Sequence, residues 1–165
     1  MTTDNFIRLV YNDGMVKITQ AGQLIALIIK ASQQSKLNGF VTNPQNPLQL
    51  GCLQFPKNHC VSPHQHRSIS KTTHQNQEFI YVVTGRVKVE FFDKNAVIAT
   101  HTLEKGDCLL QLAGGHGLTF LKPTSIVTIK QGPYSNRQQE KIEIKTFCER
   151  EDDRNGCLCL HEDDY

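Results

Sequence analysis

The chain has no long apolar run. Its most apolar stretch, Leu24 to Ile29 (LIALII), is six residues long. A membrane-spanning helix needs about 20 such residues, so this run fits a buried strand better. The N-terminus, MTTDNFIRLV, lacks a basic region followed by an apolar one. No secretory leader is expected from it, and a cytoplasmic protein that avoids membranes is. There is also no basic stripe interleaved with aromatics. The 18 Lys and Arg are scattered against 16 Asp and Glu, for a net charge of +2, which argues against nucleic acid as the main partner. Long helical periods, internal repeats and low-complexity segments are missing too. What remains is the composition of one globular domain with room for a single core, 165 residues of which 38% are apolar and 21% charged.

In a reducing compartment the six cysteines read as thiols rather than a disulfide framework. Cys52, Cys60 and Cys108 fall in apolar strand patterns, and buried structural thiols are expected there. From about Cys148 the composition changes. CEREDDRNGCLCLHEDDY is acidic and apolar only at Cys-Leu-Cys-Leu. The expected division is a domain over residues 1–147 and a tail over 148–165. Cys157-Leu158-Cys159 has single-residue spacing, unlike the C-x2-C of structural zinc knuckles.

Turn signals come often. Ile7 to Tyr11 and Val16 to Thr19 flank Asp13-Gly14 and read as a hairpin. Further strands are expected at Leu24 to Lys30, Leu48 to Phe55, Cys60 to His66, Glu78 to Val83, Val87 to Phe92, Val97 to Leu103, Cys108 to Leu112, Leu118 to Leu121 and Ser125 to Gln131. A short helix is expected near Ser32 to Leu37. About ten short strands between Gly, Pro, Asn and Asp turns predict an all-β sandwich or barrel, best fitted by a double-sheet jelly roll.

The chemistry concentrates in Pro63-His64-Gln65-His66, in Gln77-Glu78 ahead of Gly85, and in Gly114-Gly115-His116 behind Gly106-Asp107. On a strand, His64 and His66 would share a face. With Glu78 and His116 they make a set of three imidazoles and one carboxylate that suits Zn, Fe, Ni or Mn. Gln111 and Tyr81 can project inward to shape a pocket or can be ordinary core or surface. His59 and His101 lie near turns and read as surface residues, and Lys130-Gln131-Gly132-Pro133-Tyr134 reads as a structural turn.

At these residues the chain resembles the cupin superfamily. The first cupin motif is G-x5-H-x-H-x3,4-E-x6-G. Here His64-x-His66 and Glu78-x6-Gly85 match, but eleven residues rather than three or four separate His66 from Glu78. Either the intervening loop is enlarged, or His74 takes the second histidine's place. The latter would leave Thr72, a poor ligand, two residues before it. The second motif is G-x5-P-x-G-x2-H-x3-N. Gly106 and Gly114 fit, Leu112 stands for Pro, His116 comes one residue early and Phe120 replaces Asn. A group of small single-domain cupins is similar over roughly residues 7 to 145, in LQLG (48–51), PHQH (63–66), QEFIYVVTGRVKVEFFD (77–93), EKGD (104–107), GGHG (114–117) and KQGPY (130–134).

The resemblance implies a double-stranded β-helix with a metal in its mouth, ligated by His64, His66, Glu78 and His116, and a homodimer. The expected function is a metalloprotein with one divalent transition metal (Fe, Mn, Ni or Zn). It would act on a small polar metabolite by isomerase-like, epimerase-like or oxygenase-like chemistry. The alternatives are a non-catalytic ligand-binding or sensor module, and a metal-free scaffold.

Overall fold

The structure, a computed structural model, describes residues 7–12 and 14–144. The expected tail at 148–165, with Cys148, Cys157 and Cys159, lies outside the described residues. Among the described residues eleven strands form in chain order: β1 (Ile7–Asn12), β2 (Met15–Gln20), β3 (Gln23–Ile29), β4 (Gly39–Phe40), β5 (Gly51–Cys52), β6 (Glu78–Thr84), β7 (Arg86–Asp93), β8 (Ala96–Glu104), β9 (Cys108–Gln111), β10 (Gly115–Phe120) and β11 (Ser125–Lys130). Two single-turn helices join them, α1 (Ala31–Gln34) and α2 (Arg137–Glu140). No helix among the described residues is long and apolar enough to cross a membrane.

The strands pair antiparallel in a six-stranded sheet of order β1-β2-β3-β9-β6-β11, a three-stranded sheet β10-β7-β8 and the small pair β4-β5. The all-β expectation holds. Among the described residues the hydrogen bonding closes neither large sheet into a barrel.

The two large sheets enclose the core. Ile18, Ile28, Ile80, Val82 and Leu109 from the first meet Val87, Val89, Phe91 and Leu103 from the second. The other face of the large sheet is covered as well. Met15, Leu27, Ile29, Cys108 and Leu110 are buried there with Leu37, against Val41, Leu48, Leu50 and Phe79. Burial on both faces explains why β3 and β9 read as continuous apolar runs rather than as alternation. Tight turns set the registers. Gly85 links β6 to β7 at φ 92°, and an added Cβ would sit 2.5 Å from the Pro123 carbonyl oxygen, so both conformation and space demand glycine.

Several expectations need correction. Of the strand expected over Leu48 to Phe55, only Gly51–Cys52 pairs, with Gly39–Phe40. The strand expected over Cys60 to His66 does not form: residues 53–77 hold neither strand nor helix. Pro56 and Pro63 have no N–H to give a ladder. Residues 60–66 are also exposed throughout, so no apolar face drives pairing. Cys60 is therefore an exposed thiol, whereas Cys108 is buried and Cys52 half-buried. Burial pushes the Cys108 thiol up to about 12 and raises that of Cys52. His101 lies in the middle of β8, opposite Val89 of β7, not at a turn.

Candidate functional site

The inner face of the large sheet is apolar in its middle and polar at one end. Ile80 and Val82 of β6 are fully buried, and Glu78, at the start of the same strand, shares their face. Its Cα partners are Gln111 of β9 and Lys130 of β11. From the opposing sheet comes His116 of β10, the partner of the buried Phe91. Glu78, Gln111, His116, Thr128 and Lys130 thus gather where the core opens.

Glu78 is held from both sides of the chain. The preceding residue, Gln77, is pinned by three bonds. Its N–H donates to Gln131 Oε1 at 2.9 Å, its Oε1 accepts from the Leu48 N–H at 3.1 Å, and its Nε2 donates to the Leu112 carbonyl at 3.3 Å. The carboxylate then divides its oxygens. Oε2 faces His116 Nε2 at 3.3 Å. Oε1 lies 3.6 Å from Lys130 Nζ and 2.8 Å from the Thr128 hydroxyl. That hydroxyl is also 3.0 Å from the Phe79 carbonyl and has one proton to give. Burial pushes the Glu78 pKa up, but the His116 hydrogen bond and charge, then Lys130 and Thr128, outweigh it and hold it below the ordinary value. Glu78 is an anion at neutral pH.

His116 follows the bend at Gly114, which has φ 73°. Its strand starts at Gly115, three residues earlier than the expected Leu118, and this places the imidazole on a regular inner-face position. The Glu78–His116 pair fits a metal ion. With bonds of about 2.1 Å to each, donors 3.3 Å apart would subtend about 100°, between the octahedral and tetrahedral angles.

The other two expected ligands lie elsewhere. His64 and His66 stand on the irregular 53–77 segment, both exposed. Their rings pack edge to face with centroids 5.3 Å apart, and His64 Nδ1 is 2.9 Å from the Ser62 carbonyl. The structure keeps them together as a pair but does not bring them to Glu78 and His116. Among the described residues no group of three or more His, Cys, Asp or Glu lies close enough to share a metal. His74 is exposed on the same segment, and His59 stacks on Phe55 at 4.8 Å.

Sequence reasoning missed Thr128 and Lys130. Their strand pairs with Glu78's across some fifty residues, which no local pattern announces. Gln111 takes the inward alternative and Tyr81 the outward one, where it is exposed. Compared with known proteins, the chain matches no family model, no curated protein and no solved structure.

Proposed function

We propose that the chain is a small cupin-type metalloprotein of jelly-roll architecture that holds one divalent transition metal at Glu78 and His116. The single observation that carries this is an anionic carboxylate oxygen and an imidazole nitrogen, delivered by two different sheets, 3.3 Å apart at the open end of the core. His64 and His66 would complete the ligand set from the 53–77 segment. A bound metal would supply Lewis-acid polarisation of a small polar substrate or, as iron, oxygen chemistry.

The chain's own residues have separable tasks. Glu78 contributes fixed negative charge, kept ionised by His116, Lys130 and Thr128. Thr128 and Lys130 engage Oε1, which leaves Oε2 as the oxygen directed at the imidazole. Gln77 locks the strand end that carries the carboxylate. No acid–base pair outside this cluster is assigned a step. The proposed assembly is a homodimer: β11 is an edge strand with Val127 and Ile129 exposed, a surface that a second copy can pair with and cover.

Metal content of the purified chain, after incubation with Fe, Mn, Ni or Zn and removal of excess, tests the reading. One equivalent is expected in the wild type and almost none in a Glu78→Gln, His116→Ala double variant. The His64→Ala, His66→Ala pair should weaken binding, and His59→Ala should leave it unchanged. Wild type that retains no metal under all four conditions overturns the reading and leaves the scaffold alternative. Tight metal with no turnover of any small polar substrate would favour the binding-module alternative.

A further inference from the structure

Gln111 is the most buried polar side chain at the open end of the core, 3% exposed. It lies on β9, directly opposite Glu78 of β6, and shares the inner face with Leu109. Its amide cannot be turned over. Nε2 donates to the Ala113 carbonyl and to the Gly114 carbonyl, the latter at 3.3 Å, and a reversed amide would press its oxygen against two acceptors. With the donor end fixed, Oε1 is committed to the interior. Among the described residues this oxygen is buried with no hydrogen-bond partner.

A buried acceptor left unpaired costs roughly 1–3 kcal/mol, and folded proteins keep few of them. The two carbonyls account for the donor end of the amide. Its oxygen is accounted for if a partner arrives with a ligand. The residue paired with Gln111 across the strands is Glu78, on the same inner face, and its Oε2 faces His116 Nε2. A divalent cation satisfies such an oxygen.

We propose that Gln111 is a further ligand-binding residue of this site, its Oε1 giving a neutral oxygen donor to the cation held by Glu78 and His116. This rests on the metal-site reading above. The proposed set of Glu78, His116, His64 and His66 thereby gains an amide carbonyl. A hard, uncharged oxygen shifts preference toward Mn(II) without adding charge to the site.

The test is isothermal titration of the full chain with Mn(II) and, separately, Zn(II), on wild type, Gln111→Leu, Gln111→Met and Glu78→Gln. Gln111→Leu is expected to weaken Mn(II) at least about tenfold and to weaken Zn(II) less. Gln111→Met, which keeps the length and removes the oxygen, is expected to weaken Mn(II) in the same way, and it serves if the leucine variant does not fold. Mn(II) affinity unchanged in the folded Gln111 variants, while Glu78→Gln abolishes binding, overturns the role of Gln111 and leaves the metal site standing. Wild type that binds neither ion overturns the metal site, and the Gln111 proposal with it.

Discussion

Two carboxylates sit at opposite ends of the same sandwich and are treated differently. Asp107, just before β9, is 3% exposed. Its Oδ1 accepts from the Ala31 N–H at 2.8 Å, its Oδ2 from the Glu104 N–H at 2.8 Å, and Lys30 Nζ closes an ion pair on Oδ2 while also donating to the Thr102 carbonyl at 3.1 Å. The backbone continues the clamp: the Gly106 N–H donates to the Val82 carbonyl, the Val82 N–H to the Asp107 carbonyl, and Gln34 Nε2 to the Gly106 carbonyl. Each contact ties a turn or a strand end to another. Glu78 instead meets side chains, one of them an imidazole, and its strand partner Gln111 has an amide oxygen that is buried without a partner among the described residues. The carboxylate held by backbone N–H groups acts as a structural joint, and the one opposed by titratable side chains is the proposed binding site.

The largest effect that can break this contrast is a stability measurement. Asp107→Ala leaves the Ala31 and Glu104 N–H groups without their acceptor and removes the partner of Lys30. It is expected to cost about 3 kcal/mol, lowering the melting temperature by roughly 10 °C. Glu78→Gln keeps an acceptor for Thr128 and should cost roughly 1 kcal/mol, while abolishing metal binding. Equal destabilisation by the two changes would erase the distinction between joint and site.

How far these ends were legible in the sequence depends on whether the signal was local. The hairpins were, because Gly85 and Gly106 sit at positive φ between apolar strands, and their spacing gave most of the strand order's raw material. The meeting of Glu78 and His116 was legible for the same reason, each standing at a fixed offset from such a glycine. His64-x-His66 was misread as a strand because alternation alone was counted. The exposure of Val61 and the two prolines around it remove the burial and the N–H groups that strands require. Closure of a barrel was likewise beyond sequence, since strand order depends on contacts such as β3–β9, some eighty residues apart. Gln111 shows the limit most clearly. Its inward face was one of two open alternatives, because β9 is buried at every position and shows no alternation, and the two carbonyls that orient its amide come from a turn whose shape no composition specifies.

A smaller effect sharpens the comparison from the side of acidity. The folded pKa of Glu78 lies below the unfolded value, so the unfolded chain takes up its proton first as pH falls. The stability Glu78 gives is complete above the ordinary carboxylate range near 4.3 and is lost as pH drops through the folded value. His116→Ala removes the largest influence lowering that value and leaves burial, which raises it. The acid loss should then begin at a higher pH, and an NMR titration of the Glu78 carboxyl in both proteins reads the shift directly. An unmoved midpoint would mean that the imidazole does not act on the carboxylate.

The smallest expected effect belongs to His101, which borders the joint rather than the site. Its Nε2 is buried without a partner among the described residues, and its pKa is lowered, first by burial and then by the Lys30 charge. The sign is that of a group whose unfolded form binds the proton more readily. Above about 6.5 both states carry a neutral ring and nothing changes. As pH falls below that, the unfolded chain is protonated first and the fold loses stability until the folded value is passed. His101→Leu removes the titration and fills the same inner-face position of β8 with an apolar group. Its melting temperature should match or exceed that of the wild type at neutral pH and fall less between pH 7 and pH 5. Because Lys30 is the ammonium that also holds Asp107, Lys30→Met should relieve part of the His101 shift while weakening the clamp. If His101→Leu loses stability with acid as steeply as wild type, the imidazole is charged within the fold, and the end of the sandwich built around Asp107 is not the closed joint described above.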